Sequence, residues 1–260
     1  MLLQGKNIVI IGGTSGIGLS ASRAFLAQGA HVLAVGADTD ASKAAAELQG
    51  DFFETILADA RDASTAKLAI ARCAERFGIP DGLYHVAGGS GRSMGDGPLH
   101  QLTEEGWDRT LDLNLRSLMR SNRAAVQYWL DTKHPGTILN MCSVLAYAPS
   151  PHFFATHAYA AAKAAIIGFS KSVAACYAKD NIRVNVIAPG LVATPMSKRA
   201  SADASIQAFV KTKQPLGGGR MGEPSDLDGL AVYFMSDQSA FTTGQLIAVD
   251  GGWSVSEGQY

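Results

Sequence analysis

Seven short runs of β-branched and apolar residues recur along the 260-residue chain, at positions 7–11, 31–35, 53–57, 82–86, 137–141, 183–187 and 246–249. Most are continuous rather than alternating, the pattern of strands covered on both faces. The stretches between them, such as 16–28, 64–77, 103–130, 159–178 and 225–235, place apolar residues three and four apart, as helices with one buried side do. A strand, a helix and another strand in succession call for a crossover to a parallel neighbour. The right-handed form of that crossover builds a doubly wound open sheet with helices on both faces. The expected fold class is therefore α/β, with a mainly parallel seven-stranded sheet. Ligands of such sheets lie at the carboxyl ends of the strands, where the strand order reverses.

The rhythm runs to the end of the chain without a linker or repeat, so a single domain over residues 1–260 is expected. It breaks at 88–100, rich in Gly and Ser, and at 193–221, which is read as a substrate-binding lid within that domain. Hydrophobic residues make up 47% of the chain and charged residues 17%, enough apolar surface to fill a core. The formal charge of -1 is spread without blocks, so no footprint for nucleic acid or an anionic membrane is present, and a small molecule is the expected partner. No basic stretch followed by an apolar segment opens the chain, and no apolar run is long enough to span a bilayer; a cytoplasmic location is expected. Cys73, Cys142 and Cys176 lack metal or CxxC spacing, which predicts reduced thiols, no disulfide and no metal.

The first strand runs directly into Gly12-Gly-Thr14-Ser15-Gly16-Ile17-Gly18 and then into a helix. Glycines allow the tight turn and let the backbone approach a pyrophosphate, while the helix start offers unpaired N–H groups and a positive dipole end. The position of this turn, after the first strand of a βαβ unit, is the context a dinucleotide demands. The second strand ends in Gly36-Ala37-Asp38. Asp38 can accept bonds from both hydroxyls of an adenosine ribose and repel a 2′-phosphate; it can equally be a loop aspartate. No Arg or Lys stands at Ser15 or Ala37 to receive a 2′-phosphate, which favours NAD over NADP.

Tyr159 and Lys163 are four apart, on one face of a helix. An ammonium beside a phenol stabilises the phenolate, so the pair can move a proton, although such a spacing alone also describes an ordinary exposed helix face. Ser143 follows the fifth run, at a strand end where ligands bind, and its hydroxyl can hold a carbonyl oxygen. Asn114 interrupts an otherwise helical stretch; a buried amide there needs polar partners, and a water is one.

Together these residues resemble the short-chain dehydrogenase/reductase family over essentially the whole chain. The ordered matches are Gly12-x-x-x-Gly16-x-Gly18, Asp59, Ala87-Gly88, Asn114, Ser143, Tyr159-x-x-x-Lys163, Pro189-Gly190 with Thr194, and Val249-Asp-Gly-Gly252. The resemblance implies a Rossmann-type domain and hydride transfer between a nicotinamide cofactor and a secondary alcohol or ketone. It implies that Tyr159 is the acid/base, that Ser143 orients substrate, and that Lys163 lowers the tyrosine pKa and binds the nicotinamide ribose. It also implies that Asn114 holds a relay water, that Asp59 meets the adenine, and that Val192 and Thr194 meet the carboxamide. Further cofactor contacts are implied at Ala60, Ala87, Gly88, Pro189 and Gly190. A homotetramer packed through long helices and the carboxyl-terminal segment is likewise implied.

Three departures stand out: Ile11 replaces a threonine usual in the family, His85-Val86 replaces Asn-Asn, and Ser143 and Tyr159 are 16 positions apart, a few more than usual. Apolar packing of Ile11 on Val86 is expected where the family has a polar contact. The longer loop 144–158 carries Leu145, His152 and Phe153, which with Met94 and Met196 are the expected substrate wall. A medium-sized, partly apolar or cyclic ketone or alcohol follows. The rival substrate is a 3-oxoacyl thioester on an acyl carrier protein, for which Arg116, Arg120 and Arg123 would form a basic docking surface. The rival outside enzymes is an NAD-sensing binding protein, against which the retained Tyr, Lys, Ser and Asn weigh.

Overall fold

The computed structural model describes residues 1–48 and 50–259. Its first half runs β1 (Asn7–Ile11), α1 (Gly16–Ala27), β2 (His31–Gly36), α2 (Thr39–Ala45), β3 (Phe53–Leu57), α3 (Thr65–Phe77), β4 (Gly82–His85), α4 (Glu104–Leu111) and α5 (Ser117–Thr132). The second half runs β5 (Gly136–Met141), α6 (Pro151–Phe154), α7 (His157–Tyr177), β6 (Ile182–Pro189), α8 (Lys198–Ala202), α9 (Ala204–Lys213), α10 (Asp228–Met235) and β7 (Leu246–Val249). The strands form one sheet in the order β3-β2-β1-β4-β5-β6-β7, and each neighbouring pair is parallel. The order reverses between β1 and β4, so the loops after these two strands splay apart and open a crevice at their carboxyl ends.

Alternation along the central strands divides the core. Ile8 and Ile10 of β1 pack with Phe25, Leu139 and Phe234 on one face, while Val9 and Ile11 pack with Leu33, Ile70, Leu83 and Trp129 on the other. All are essentially inaccessible to solvent, and burying each such side chain contributes about 1.5–3 kcal/mol. A third apolar cluster, containing Val144, Ile206, Phe209 and Trp253, lies beyond the strand ends and supports the region of the site. The last strand departs from the continuous pattern: β7 is an edge, and Ile247 is 38% exposed.

Two expectations are corrected. The stretch 103–130 is not one helix, because a π-helical turn at Asp112–Arg116 separates α4 from α5. Such a turn inserts one extra residue into the helical ladder, and apolar spacing alone does not reveal it. Nor do Ile11 and Val86 pack together. Their backbones are adjacent, with the Ile11 carbonyl accepting the N–H groups of Val86 at 2.8 Å and Ala87 at 2.9 Å. In register, however, Ile11 pairs with His85, so Val86 points to the opposite face, where it joins the cluster around Ile10 and Tyr84. The polar fastening belongs to His85, whose Nδ1 is 2.8 Å from the Ser121 hydroxyl and whose Nε2 is 3.4 Å from that of Ser117. Burial, assisted by the charge of Lys163, holds His85 down to about 3, so it is neutral.

The excursion 193–221 is bound at its base. Ala193 N–H donates to the Gly222 carbonyl at 2.8 Å, Gly222 N–H donates to that of Leu191 at 2.9 Å, and α9 buries Ile206, Phe209 and Val210.

Candidate active site

The turn after β1 owes its shape to close approaches that admit no side chain. Gly12 has φ of +91°, and a Cβ there would lie 2.7 Å from the Ala87 backbone nitrogen. A Cβ on Gly18 would collide with the Gly12 carbonyl oxygen, which is why α1 can start so near the strand. Ser15 precedes α1 in extended conformation without capping it by its side chain, and no acidic residue occupies the first turn. The open, electropositive helix start therefore faces the crevice, where an anionic pyrophosphate fits.

That crevice is a cleft of about 550 Å³, lined on one side by Gly12, Ser15, Gly16, Ile17, Ala87 and Gly88, and on another by Pro189, Gly190, Val192 and Thr194. Ser143, Tyr159 and Lys163 line its floor. Thr14 and Gly18 do not line it. Thr14 is buried and packs over Gly36, where it leaves no room for a Cβ. Asp38 stands exposed at the end of β2, and its Oδ1 accepts the Ala41 N–H at 2.8 Å to start α2. Asp59 follows β3 with Ala60, and its carboxylate is gripped by the Arg61 guanidinium, with contacts at 2.6 and 3.1 Å. The hydrogen bonds from Arg61 hold the Asp59 carboxyl below its ordinary range.

Tyr159 lies in the first turn of α7 and Lys163 one turn later; the Lys163 ammonium sits 5.5 Å from the centroid of the Tyr159 ring. The lysine is only 3% exposed, and its Nζ donates to the Met141 carbonyl at the end of β5, 3.0 Å away. Burial lowers it to about 8. Burial also raises the Tyr159 phenol to about 12, against which a hydrogen bond with Ser143 acts. The phenol is thus a neutral proton donor at neutral pH. Ser143 is buried at the turn after β5, and its Oγ accepts the Leu145 N–H at 3.2 Å.

Asn114 sits inside the π-helical turn and is fully buried. Its Nδ2 donates to the carbonyls of Gly89 and Thr110, both at 2.9 Å, and its Oδ1 accepts the Gly89 N–H at 3.1 Å. The amide thereby clamps the loop after β4 to the helix. A Cβ on Gly88 would lie 2.7 Å from Asn114 Oδ1 and 3.3 Å from Lys163 Nζ; glycine keeps the space between them open.

Of the expected substrate wall, Leu145 and Met196 line the cleft. Met94 and the exposed His152 do not, and Phe153 packs on Phe209, with ring centroids 5.2 Å apart. Phe154, Trp253, Arg92 and Arg199 line the cleft in their stead. No periodic signal in the sequence marks these four. Asp96 was also without a signal: it is 4% exposed, and its two carboxylate oxygens accept the N–H groups of Ala158 at 3.0 Å and Tyr159 at 2.9 Å. An acid from the loop before α4 thus holds the start of the helix that bears the tyrosine. Among the described residues no cluster of His, Cys, Asp or Glu could hold a metal ion, and no helix is long and apolar enough to cross a membrane.

A family model described as enoyl-(acyl carrier protein) reductase matches residues 12–254. The chain is 34% identical to 3beta-hydroxysteroid dehydrogenase 1 of Eggerthella lenta, over 98% of this chain and 96% of the relative. It is 34% identical to 2-keto-3-deoxy-L-fuconate dehydrogenase of Xanthomonas campestris pv. campestris, over 97% and 81%, and 32% identical to a 3-oxoacyl-[acyl-carrier-protein] reductase of Thermotoga maritima, over 97% and 99%. With its seven-stranded parallel sheet and helices around it, the chain belongs to the short-chain dehydrogenase/reductase family and is a nicotinamide-dependent alcohol/ketone oxidoreductase.

Proposed function

We propose that Tyr159 is the acid/base of a hydride transfer between NAD(H) and a secondary alcohol or ketone, with Ser143, Lys163 and Asn114 in support. The observation that carries this reading is the convergence of Tyr159, Ser143 and Lys163 on the floor of the cleft that the open start of α1 also faces. A bound nicotinamide supplies or accepts the hydride. The Tyr159 phenol gives its proton to the carbonyl oxygen in reduction, while the Ser143 hydroxyl donates a hydrogen bond to the same oxygen. In oxidation Tyr159 must first lose its proton, and the buried ammonium of Lys163 is the cation that favours the phenolate. Asn114 holds the loop that carries Gly88, against which the nicotinamide half would lie.

The choice of NAD rests on Asp38 at the end of β2 and on the absence of Lys or Arg at Ser15 and Ala37. Of the basic residues that would dock a carrier protein, Arg116 and Arg120 both reach Asp112, at 2.9 and 3.6 Å, which weakens the carrier-bound substrate relative to a free ketone. A homotetramer is supported by the exposed small residues Ala164, Ala165 and Gly168 along α7 and by the exposed Ile247 on the edge strand. Free Cys73, Cys142 and Cys176 suit the reducing cytoplasm.

The test is turnover of a panel of alcohols and ketones by the purified protein with each cofactor in turn. Oxidation with NAD, or reduction with NADH, is the expected result. A strong preference for NADPH overturns the cofactor assignment, and tight NAD binding with no turnover of any compound returns the chain to a sensing role.

A further inference from the structure

Three segments that interrupt the strand and helix rhythm meet at one backbone oxygen. The carbonyl of Phe153, at the end of α6 in the lengthened loop, accepts a hydrogen bond from Arg92 Nη2 at 3.0 Å and another from Arg199 Nη2 at 3.2 Å. Arg92 comes from the loop after β4 and Arg199 from α8, so the two nitrogens are at most about 6 Å apart. Two cations at this separation repel, and the charge of Arg199, after burial, is what lowers Arg92 below its ordinary value.

Among the described residues neither guanidinium has a carboxylate within ion-pair distance, whereas Arg61, Arg72, Arg116 and Arg220 on the outer surface all do. The nearby acids act on the pair only through space, Asp96 on Arg92 and Asp203 on Arg199, while their oxygens accept the N–H groups of Ala158 and Tyr159 at the start of α7 and of Ser205 and Ile206 at the start of α9. Both arginines line the same cleft as Ser143 and Tyr159. The same cleft is also lined by the apolar side chains of Leu145, Phe154, Met196 and Trp253, with Ser90, Ser93 and Thr156 among its polar ones.

We propose that Arg92 and Arg199 form an anion subsite, and that the substrate is an oxo acid or hydroxy acid whose carboxylate they bind while an apolar spacer carries its carbonyl or hydroxyl to Tyr159. This rests on the acid/base reading of Tyr159 above and names the substrate class of that site. A carboxylate matches the planar forks of two guanidiniums, and it relieves the repulsion between them. The Phe153 carbonyl orients both forks and carries only a partial negative charge, and Asp96 and Asp203 act from beyond ion-pair distance, so among the described residues no carboxylate takes the contact position a ligand would fill.

The experiment compares 4-oxopentanoate, 5-oxohexanoate, 6-oxoheptanoate and 4-oxocyclohexanecarboxylate with their methyl esters, each with NADH. In the native protein the acid is expected to exceed its ester in kcat/KM by about tenfold or more for at least one spacer, and the advantage is expected to shrink as salt is raised. In Arg92→Gln and Arg199→Gln the acid-to-ester ratio falls about tenfold, and Arg199→Lys restores part of it. Equal use of acid and ester at every spacer overturns the subsite. So does an unchanged ratio in both glutamine variants, which would make the arginines fasteners of the loop alone. If no ketone is turned over, the oxidoreductase role of Tyr159 fails separately, and titration calorimetry of the same acids and esters against the NAD-saturated protein decides the subsite: tighter binding of an acid, lost in the glutamine variants, supports it, and equal binding overturns it.

Discussion

Replacing Lys163 by methionine is expected to make the protein more stable at neutral pH while abolishing its activity. The ammonium is 3% exposed, and its only hydrogen bond among the described residues is the one to the Met141 carbonyl. Burial moves its pKa from 10.5 to about 8. At about 1.4 kcal/mol for each pH unit, keeping this lysine charged in the fold costs about 3 kcal/mol. The group's folded pKa is depressed, so the cost is complete below pH 8, where both folded and unfolded chains carry the proton. It shrinks between 8 and 10.5, as the folded protein loses the proton first, and is gone above 10.5. Methionine fills a similar volume without charge but strands the Met141 carbonyl, which returns about 1 kcal/mol. Lys163→Met is therefore expected to exceed the native protein by about 2 kcal/mol at pH 7, with the gap closing towards pH 10. Urea unfolding of both proteins by tryptophan fluorescence, at one protein concentration across this range, measures it. A variant less stable than the native protein at pH 7, or a gap that does not change with pH, refutes the reasoning.

Asp96→Ala removes two charge-assisted bonds from the start of α7 and is expected to cost about 2–4 kcal/mol of stability and to lower kcat more than KM; Asp96→Asn should recover part of both, and unchanged melting and kinetics in the alanine variant would dismiss the positioning role. Gly18→Ala places a methyl against the Gly12 carbonyl, so NADH affinity by fluorescence titration should fall by more than about tenfold; native affinity would show that the close approach does not shape the cofactor loop. His85 stays neutral down to about 3, whereas the unfolded chain takes up that proton near 6.5, so its stabilising effect is whole above 6.5 and is lost as pH falls towards 3. His85→Asn should flatten the acid limb of the stability curve by about 1.4 kcal/mol per pH unit there, and an unaltered limb would count against the buried neutral histidine.

The fold was legible because continuous apolar runs and the helices between them leave few topologies, and β1 to β6 stand within two residues of the runs that predict them. The glycine turn and the Tyr159–Lys163 spacing are local patterns, visible without knowing what packs on them. What stayed hidden depends on long-range geometry. Asp96 meets the Tyr159 backbone from 63 positions away, and nothing in its own neighbourhood marks it. The π-helical turn around Asn114 preserves the apolar spacing on either side, so the stretch reads as one helix. The packing of Ile11 on Val86 is expected from the contact that the resembled family has there; the backbones do meet, but a one-position offset in register sends the two side chains to opposite faces. The loop 144–158 hides its side-chain directions for a similar reason: Phe153 and Phe154 are neighbours in sequence, yet one packs on Phe209 and the other lines the cleft.

The proton-transfer role of Tyr159 is tested most directly by Tyr159→Phe, which removes the phenol oxygen and leaves the ring in place. With any ketone the native protein reduces, single-turnover rates of NADH oxidation should fall by about 10²–10⁴-fold, while the dissociation constant of NADH stays within about threefold of the native value, a difference of well under 1 kcal/mol. Native-like rates in this variant on the same ketone would contradict the account.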